Sequence, residues 1–139
     1  MGYRIPTRRS PYYLPKQEFL TVKHFAFQYP LWQAKRQALM LEGVRAITYD
    51  GMPHGSNVQD PTESAGLRLA VIDRNIKLVE DTAAEVGGDL YRWLIRGVTD
   101  ETITYEVLRS KYGMPCGRNL YYRRRQIFYY RLNLKLAFL

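Results

Sequence analysis

Apolar residues recur along this chain at steps of three and four, with no sustained alternation, so the pattern predicts an all-α fold. The longest periodic run lies in the middle. Leu69, Ile72, Ile76, Val79, Ala83 and Val86 follow one another at steps of 3, 4, 3, 4 and 3, a heptad seam held for two and a half repeats. A second apolar set, Leu67, Val71 and Leu78, falls on another face of the same helix. A helix that is apolar on two sides is buried on two sides. It is either the central helix of a bundle, or it packs one side on its own domain and the other on a second subunit. The second alternative predicts a homodimer through Leu69, Ile72, Ile76, Val79 and Ala83. Asp60-Pro61-Thr62-Glu63 reads as the start of this helix, with a reciprocal cap between Asp60 and Glu63, and Gly87-Gly88 as its stop.

Upstream, residues 1–14 carry two prolines and three arginines and read as a basic arm. A helix is predicted to begin near Pro15, with Phe19, Val22 and Phe25–Phe27 turned to a core. After Pro30 a second helix is expected at about Leu31–Leu41, with Leu31, Ala34, Ala38 and Leu41 on one side. Residues 42–60, rich in glycine, proline, serine and asparagine, read as a long disordered loop. The organisation that results is a first part, 1–58, of arm, two helices and loop. A second part, 59–139, holds the long central helix and a C-terminal unit.

A short helix of about Asp89–Arg96, with Leu90, Trp93 and Leu94 inward, is expected to close at Gly97, and the C-terminal unit that follows has the layout of a helix-turn-helix. Thr102 would cap a helix of about Ile103–Lys111 that buries Ile103, Val107 and Leu108. Tyr112-Gly113-Met114-Pro115 would turn, and a basic helix would run from about Gly117 to Lys135. Placing residues every 100° puts Leu120, Tyr121, Ile127, Phe128, Leu132 and Leu134 in one sector of this last helix. Arg118, Asn119, Tyr122, Arg125, Gln126 and Tyr129 fall in the opposite sector, with Arg123 at its margin. Arginine can pair with guanine, and asparagine or glutamine with adenine. The predicted DNA-binding residues are therefore Arg118, Asn119, Tyr122, Arg123, Arg125 and Gln126. The first three lie in the turns that meet base edges, and Arg123 and Arg125 are placed to meet phosphates. Arg124 and Arg131 fall along the apolar stripe, where they would snorkel or pair with acids of the body.

Charge sharpens this picture. The formal net charge is +8, and residues 1–106 hold thirteen acids against thirteen bases. Residues 107–139 hold eight bases and no acid, so the whole net charge sits in the last segment and points to a polyanionic partner. The chemistry that would suggest other classes is thin. Cys116 is the single cysteine and is expected at or near the cap of the last helix as a small half-buried residue. His24 and His54 read as structural or surface residues, and no metal or cofactor motif is legible. The chain is expected not to be an enzyme, to carry neither secretory leader nor membrane span, and to be cytoplasmic.

The segment TYEVLRSKYGMPCGRNLYYRRRQIFYYRL, preceded by DPTESAGLRLAVIDRNIKLVE, resembles the phage and prophage late-gene transcriptional regulators of the RinA and ArpU type. The resemblance covers roughly Gln59 to Leu134. Their C-terminal half is similar to the helix-turn-helix of sigma-70 region 4. It implies a DNA-binding activator of phage packaging, structural or lysis genes in a bacterial host, with Ile103–Lys111 as supporting helix and Arg118–Gln126 as reader. Cys116-Gly117 departs from it, because a sigma-like cap more often has serine and threonine. Double-stranded DNA is the expected partner, and host RNA polymerase a further one. The rival readings are a small terminase-like packaging component, a tyrosine-rich module that docks RNA polymerase, and an RNA binder using arginine and tyrosine for base stacking.

Overall fold

The computed structural model describes residues 8–48 and 61–139, and among them every regular element is helical. The α-helices are α1 (Lys16–Phe27), α2 (Tyr29–Thr48), α3 (Pro61–Gly87), α4 (Tyr91–Thr99), α5 (Tyr105–Ser110) and α6 (Arg118–Ala137), with a 3₁₀ turn at Gly88–Leu90. The all-α expectation is met. Among the described residues, no helix is long and apolar enough to cross a membrane. The Asp60 cap, His54 and residues 49–60 of the expected loop lie outside the described residues. Residues 42–48 of that loop belong to α2.

The helices form two compact units. One comprises the described residues up to Tyr29 together with Leu78–Leu139, and the other is Pro30–Lys77. The first unit is built around α1, α4 and α6, each of which packs on the other two, while α5 packs on α4. Phe19, Val22 and Ala26 of α1 are buried at steps of 3 and 4, and Phe19 meets Tyr129 of α6 edge to face with centroids 5.3 Å apart. Leu94 and Val98 of α4 and Leu108 of α5 complete the core. Gly97 does not close α4 as expected. It sits inside the helix and is buried, because a Cβ there would overlap the hydroxyl of Tyr121 and lie 3.1 Å from its Cζ. The glycine lets α6 approach α4. Trp93 fixes the far edge by donating its indole N–H to the Tyr112 carbonyl at 2.7 Å.

The central helix stops where the sequence places its stop, and Gly88 takes φ +52°, which suits glycine. The end of α3 is held by α6. Arg124 Nη1 donates to the Val86 carbonyl at 2.9 Å, Lys135 Nζ to Glu85 Oε1 at 2.9 Å, and Arg131 pairs with Glu85 at 3.8 Å. Arg124 and Arg131 thus serve the body of the protein, as their position on the helix predicts.

The heptad seam is spent within the chain. Ile72, Ile76, Val79, Ala83 and Val86 are all buried and Leu69 is half-buried, so the surface expected to meet a second copy is already covered. In the second unit the buried side of α2 carries Trp32, whereas the expected stripe of Leu31, Ala34, Ala38 and Leu41 is exposed. Arg36 and Asp73 pair at 3.6 Å. Leu67 and Val71, the second apolar face of α3, stay 66% and 48% exposed and line an open groove with Trp32, Ala38 and Leu39.

Candidate nucleic-acid interface

The angle between α5 and α6 is set by short-range chemistry in the turn. Thr104, not Thr102, caps α5, accepting from the Val107 N–H at 3.3 Å. Thr102 instead donates its N–H and hydroxyl to Asp100 Oδ1 at 2.9 and 2.7 Å, closing a local turn ahead of the helix. The helix is consequently shorter than Ile103–Lys111, and Leu108 rather than Ile103 or Val107 is its fully buried residue. After α5, Lys111 N–H donates to Val107 at 2.8 Å and Met114 N–H to Leu108 at 3.0 Å, around Gly113 at φ +65°. Met114 is buried, and Arg109 Nη1 donates to its carbonyl at 3.1 Å. Gly117, in extended backbone, precedes α6 without a side-chain cap.

Cys116 is 8% exposed, and burial pushes its thiol up, with Arg109 opposing more weakly. A thiol held protonated is a structural residue, not a reactive one. Its carbonyl accepts from the Tyr105 hydroxyl at 3.3 Å, a further tie between α5 and the start of α6.

The inner stripe of α6 is Tyr121, Arg125, Phe128 and Leu132, at steps of 4, 3 and 4, with Tyr129 beside it. The helix is turned by roughly 80° from the expected orientation, at 100° per residue. Two expectations change with it. Leu120 and Leu134, placed inward by the pattern, are 40% and 42% exposed. Arg125 and Tyr129, placed outward, are 9% and 1% exposed. The Arg125 guanidinium lies over the Tyr129 ring at 5.3 Å and near the Tyr122 ring at 6.0 Å. It reaches the edge of a cleft of about 640 Å³ floored by Gly97 and Tyr121.

The remaining predicted residues face outward to different degrees. Asn119 and Arg123 are exposed, and Tyr122 and Gln126 are half-buried. These four come together around an open hollow of about 350 Å³ whose other wall is Ser10–Tyr12 of the arm. Arg118, also exposed, is engaged. It pairs with Glu106 of α5, and its guanidinium lies over the Tyr105 ring at 5.0 Å. The Glu106 carboxyl is held below its ordinary range chiefly by its own backbone N–H; desolvation opposes this, and the hydrogen bond and charge of Arg118 and a hydrogen bond from Thr104 add to the lowering. The pair is therefore ionised at neutral pH.

Glu106 and the arm were not legible as parts of the site. Glu106 lies twelve residues before Arg118, across a turn whose path no periodicity fixes. The tyrosines and arginines of the arm were the available signal for the second wall.

No family model, no curated protein and no solved structure matches this chain. Among the described residues there is also no cluster of metal-ligating side chains.

Proposed function

We propose that the protein is a sequence-specific binder of double-stranded DNA that regulates transcription, in keeping with its resemblance to activators of phage late genes. The observation that carries this reading is the outer side of α6. Asn119, Tyr122, Arg123 and Gln126 share one surface, in a segment with eight bases and no acid, on a helix braced by α1 and α4. Asparagine, glutamine and arginine are the side chains that read a major groove, and a rigid helix is the support such reading requires. Arg118, once released from Glu106, adds a further cation at the end of the helix that meets base edges.

The test is selection of bound fragments from the genome that carries the gene, followed by salt titration on the recovered fragments. Neutralising four to six phosphates gives a log–log salt slope of roughly −4 to −5. A flat salt response, or recovery of fragments with no shared sequence, overturns sequence-specific DNA reading. A ring-sized oligomer in sedimentation supports the packaging reading instead.

The second unit favours a further role in protein docking. The groove lined by Leu67, Val71, Trp32 and Leu39 is apolar and is flanked by Lys35 and Arg68. Its fitting occupant is an amphipathic helix with an acidic margin on a partner such as RNA polymerase, the helix-in-groove mode of recognition. Leu67→Glu is expected to abolish polymerase capture while leaving DNA affinity within twofold. Unchanged capture sinks this role.

A further inference from the structure

The arm meets the outer side of α6 through a built contact. Tyr12 packs edge to face on Tyr130 with ring centroids 5.6 Å apart, and Leu14 behind it is 4% exposed. Ser10 organises the intervening turn. Its hydroxyl accepts from the Tyr12 N–H at 3.1 Å and its carbonyl from the Tyr13 N–H at 3.2 Å. Immediately upstream, Arg8 and Arg9 are both exposed. Two arginines thus lie beside the surface that already carries Asn119, Tyr122, Arg123 and Gln126, and they are tethered there rather than free in solution.

Resting on the DNA-reading assignment of α6, we infer that Arg8 and Arg9 form a second DNA contact, entering the minor groove next to the major-groove segment that α6 occupies. The dimensions fit. With the Ser10 turn opened, the chain from Arg8 to the Tyr12 anchor can span at most about 14 Å, to which the arginine side chain adds its own length. Half a turn of duplex, the separation of a major groove from the neighbouring minor groove, is about 17 Å. The chemistry fits as well. A narrow minor groove concentrates negative potential and attracts inserted arginine, and narrow grooves belong to A·T-rich tracts. The arm therefore adds a preference for A·T pairs beside the sequence that α6 reads, in a groove that carries only a degenerate code.

The experiment uses the full chain on the recovered genomic fragment, comparing the wild type with the Arg8→Ala/Arg9→Ala double variant and with Arg123→Ala. Both arginines are exposed, so circular dichroism and melting of the double variant should match wild type. Its log–log salt slope is expected to flatten by about 1.8, roughly 0.9 for each cation withdrawn. Netropsin, which fills A·T minor grooves, should weaken wild-type binding severalfold and leave the double variant unaffected. If the double variant binds as tightly as wild type while Arg123→Ala does not, the arm contact is wrong and the reading of α6 stands. A flattened slope with no netropsin effect makes the arginines phosphate contacts and overturns the minor-groove assignment. Tighter binding by the double variant makes the arm a cover and overturns the inference. Failure of the wild type to bind any fragment overturns the arm contact and the DNA reading together.

Discussion

Single atoms decide two features of this protein. At Gly97 the deciding atom is the Tyr121 hydroxyl, which occupies the place of a Cβ. Tyr121 is 3% exposed. Gly97→Ala is expected to cost about 1–3 kcal/mol, the range for overpacking a filled core, read as a drop in the urea midpoint. Adding Tyr121→Phe removes the overlapping oxygen but leaves the ring carbon close, so the double variant should recover part of the loss and not all of it. The second feature is the Glu106 carboxylate. It engages the guanidinium that a guanine would need, so DNA binding must exchange one partner of Arg118 for another. Glu106→Gln keeps the shape, removes the charge and weakens the competitor. Its expected effect is a severalfold rise in DNA affinity at low salt, measured by gel shift, and a fall in affinity would show the pair positions Arg118 instead of restraining it.

Among the elements, α6 shows how far periodicity carries and where it misleads. Long apolar seams were legible: the extent of α3, its stop at Gly87-Gly88 and the succession of short helix, glycine turn and longer basic helix in α5 and α6 all follow from spacing and glycine placement. The face of α6 was not, because the residues that define it are not simple hydrophobes. Tyr129 buries its ring with its hydroxyl, and Arg125 occupies a stripe position close to the Tyr122 and Tyr129 rings. A count of apolar letters gives both to solvent. The two arginines should separate cleanly. Arg123→Ala removes an exposed cation and is expected to leave the melting temperature within about a degree while flattening the salt slope by about 1. Arg125→Ala leaves a gap beside Tyr122 and Tyr129 and forfeits cation–π contact, so it should destabilise by about 1–3 kcal/mol. Comparable melting curves for the two variants would contradict the inward placement of Arg125.

For the molecule as a whole, the buried tyrosines govern the alkaline limit. Burial raises both Tyr121 and Tyr129 well above the ordinary phenol range, with Arg125 opposing in each case. A folded-state value above the unfolded one means that the neutral form is favoured by folding. The contribution is fully present below the unfolded value of about 10 and is lost as pH rises above it. There the unfolded chain releases protons that the folded chain retains, so stability falls as pH rises. Lys23 acts in the other direction over a different window. Burial lowers it, with Glu101 opposing and Arg125 assisting, so the unfolded chain binds the extra proton and stability rises with pH until the ordinary lysine range is reached. Beyond that range the lysine contributes no further slope. An alkaline titration followed at the phenolate absorbance should therefore show two tyrosines ionising late and together with loss of helix. If they ionise early with the helical signal intact, the packing of α6 against α1 and α4 is looser than the buried rings imply, and the rigid support required for groove reading is absent.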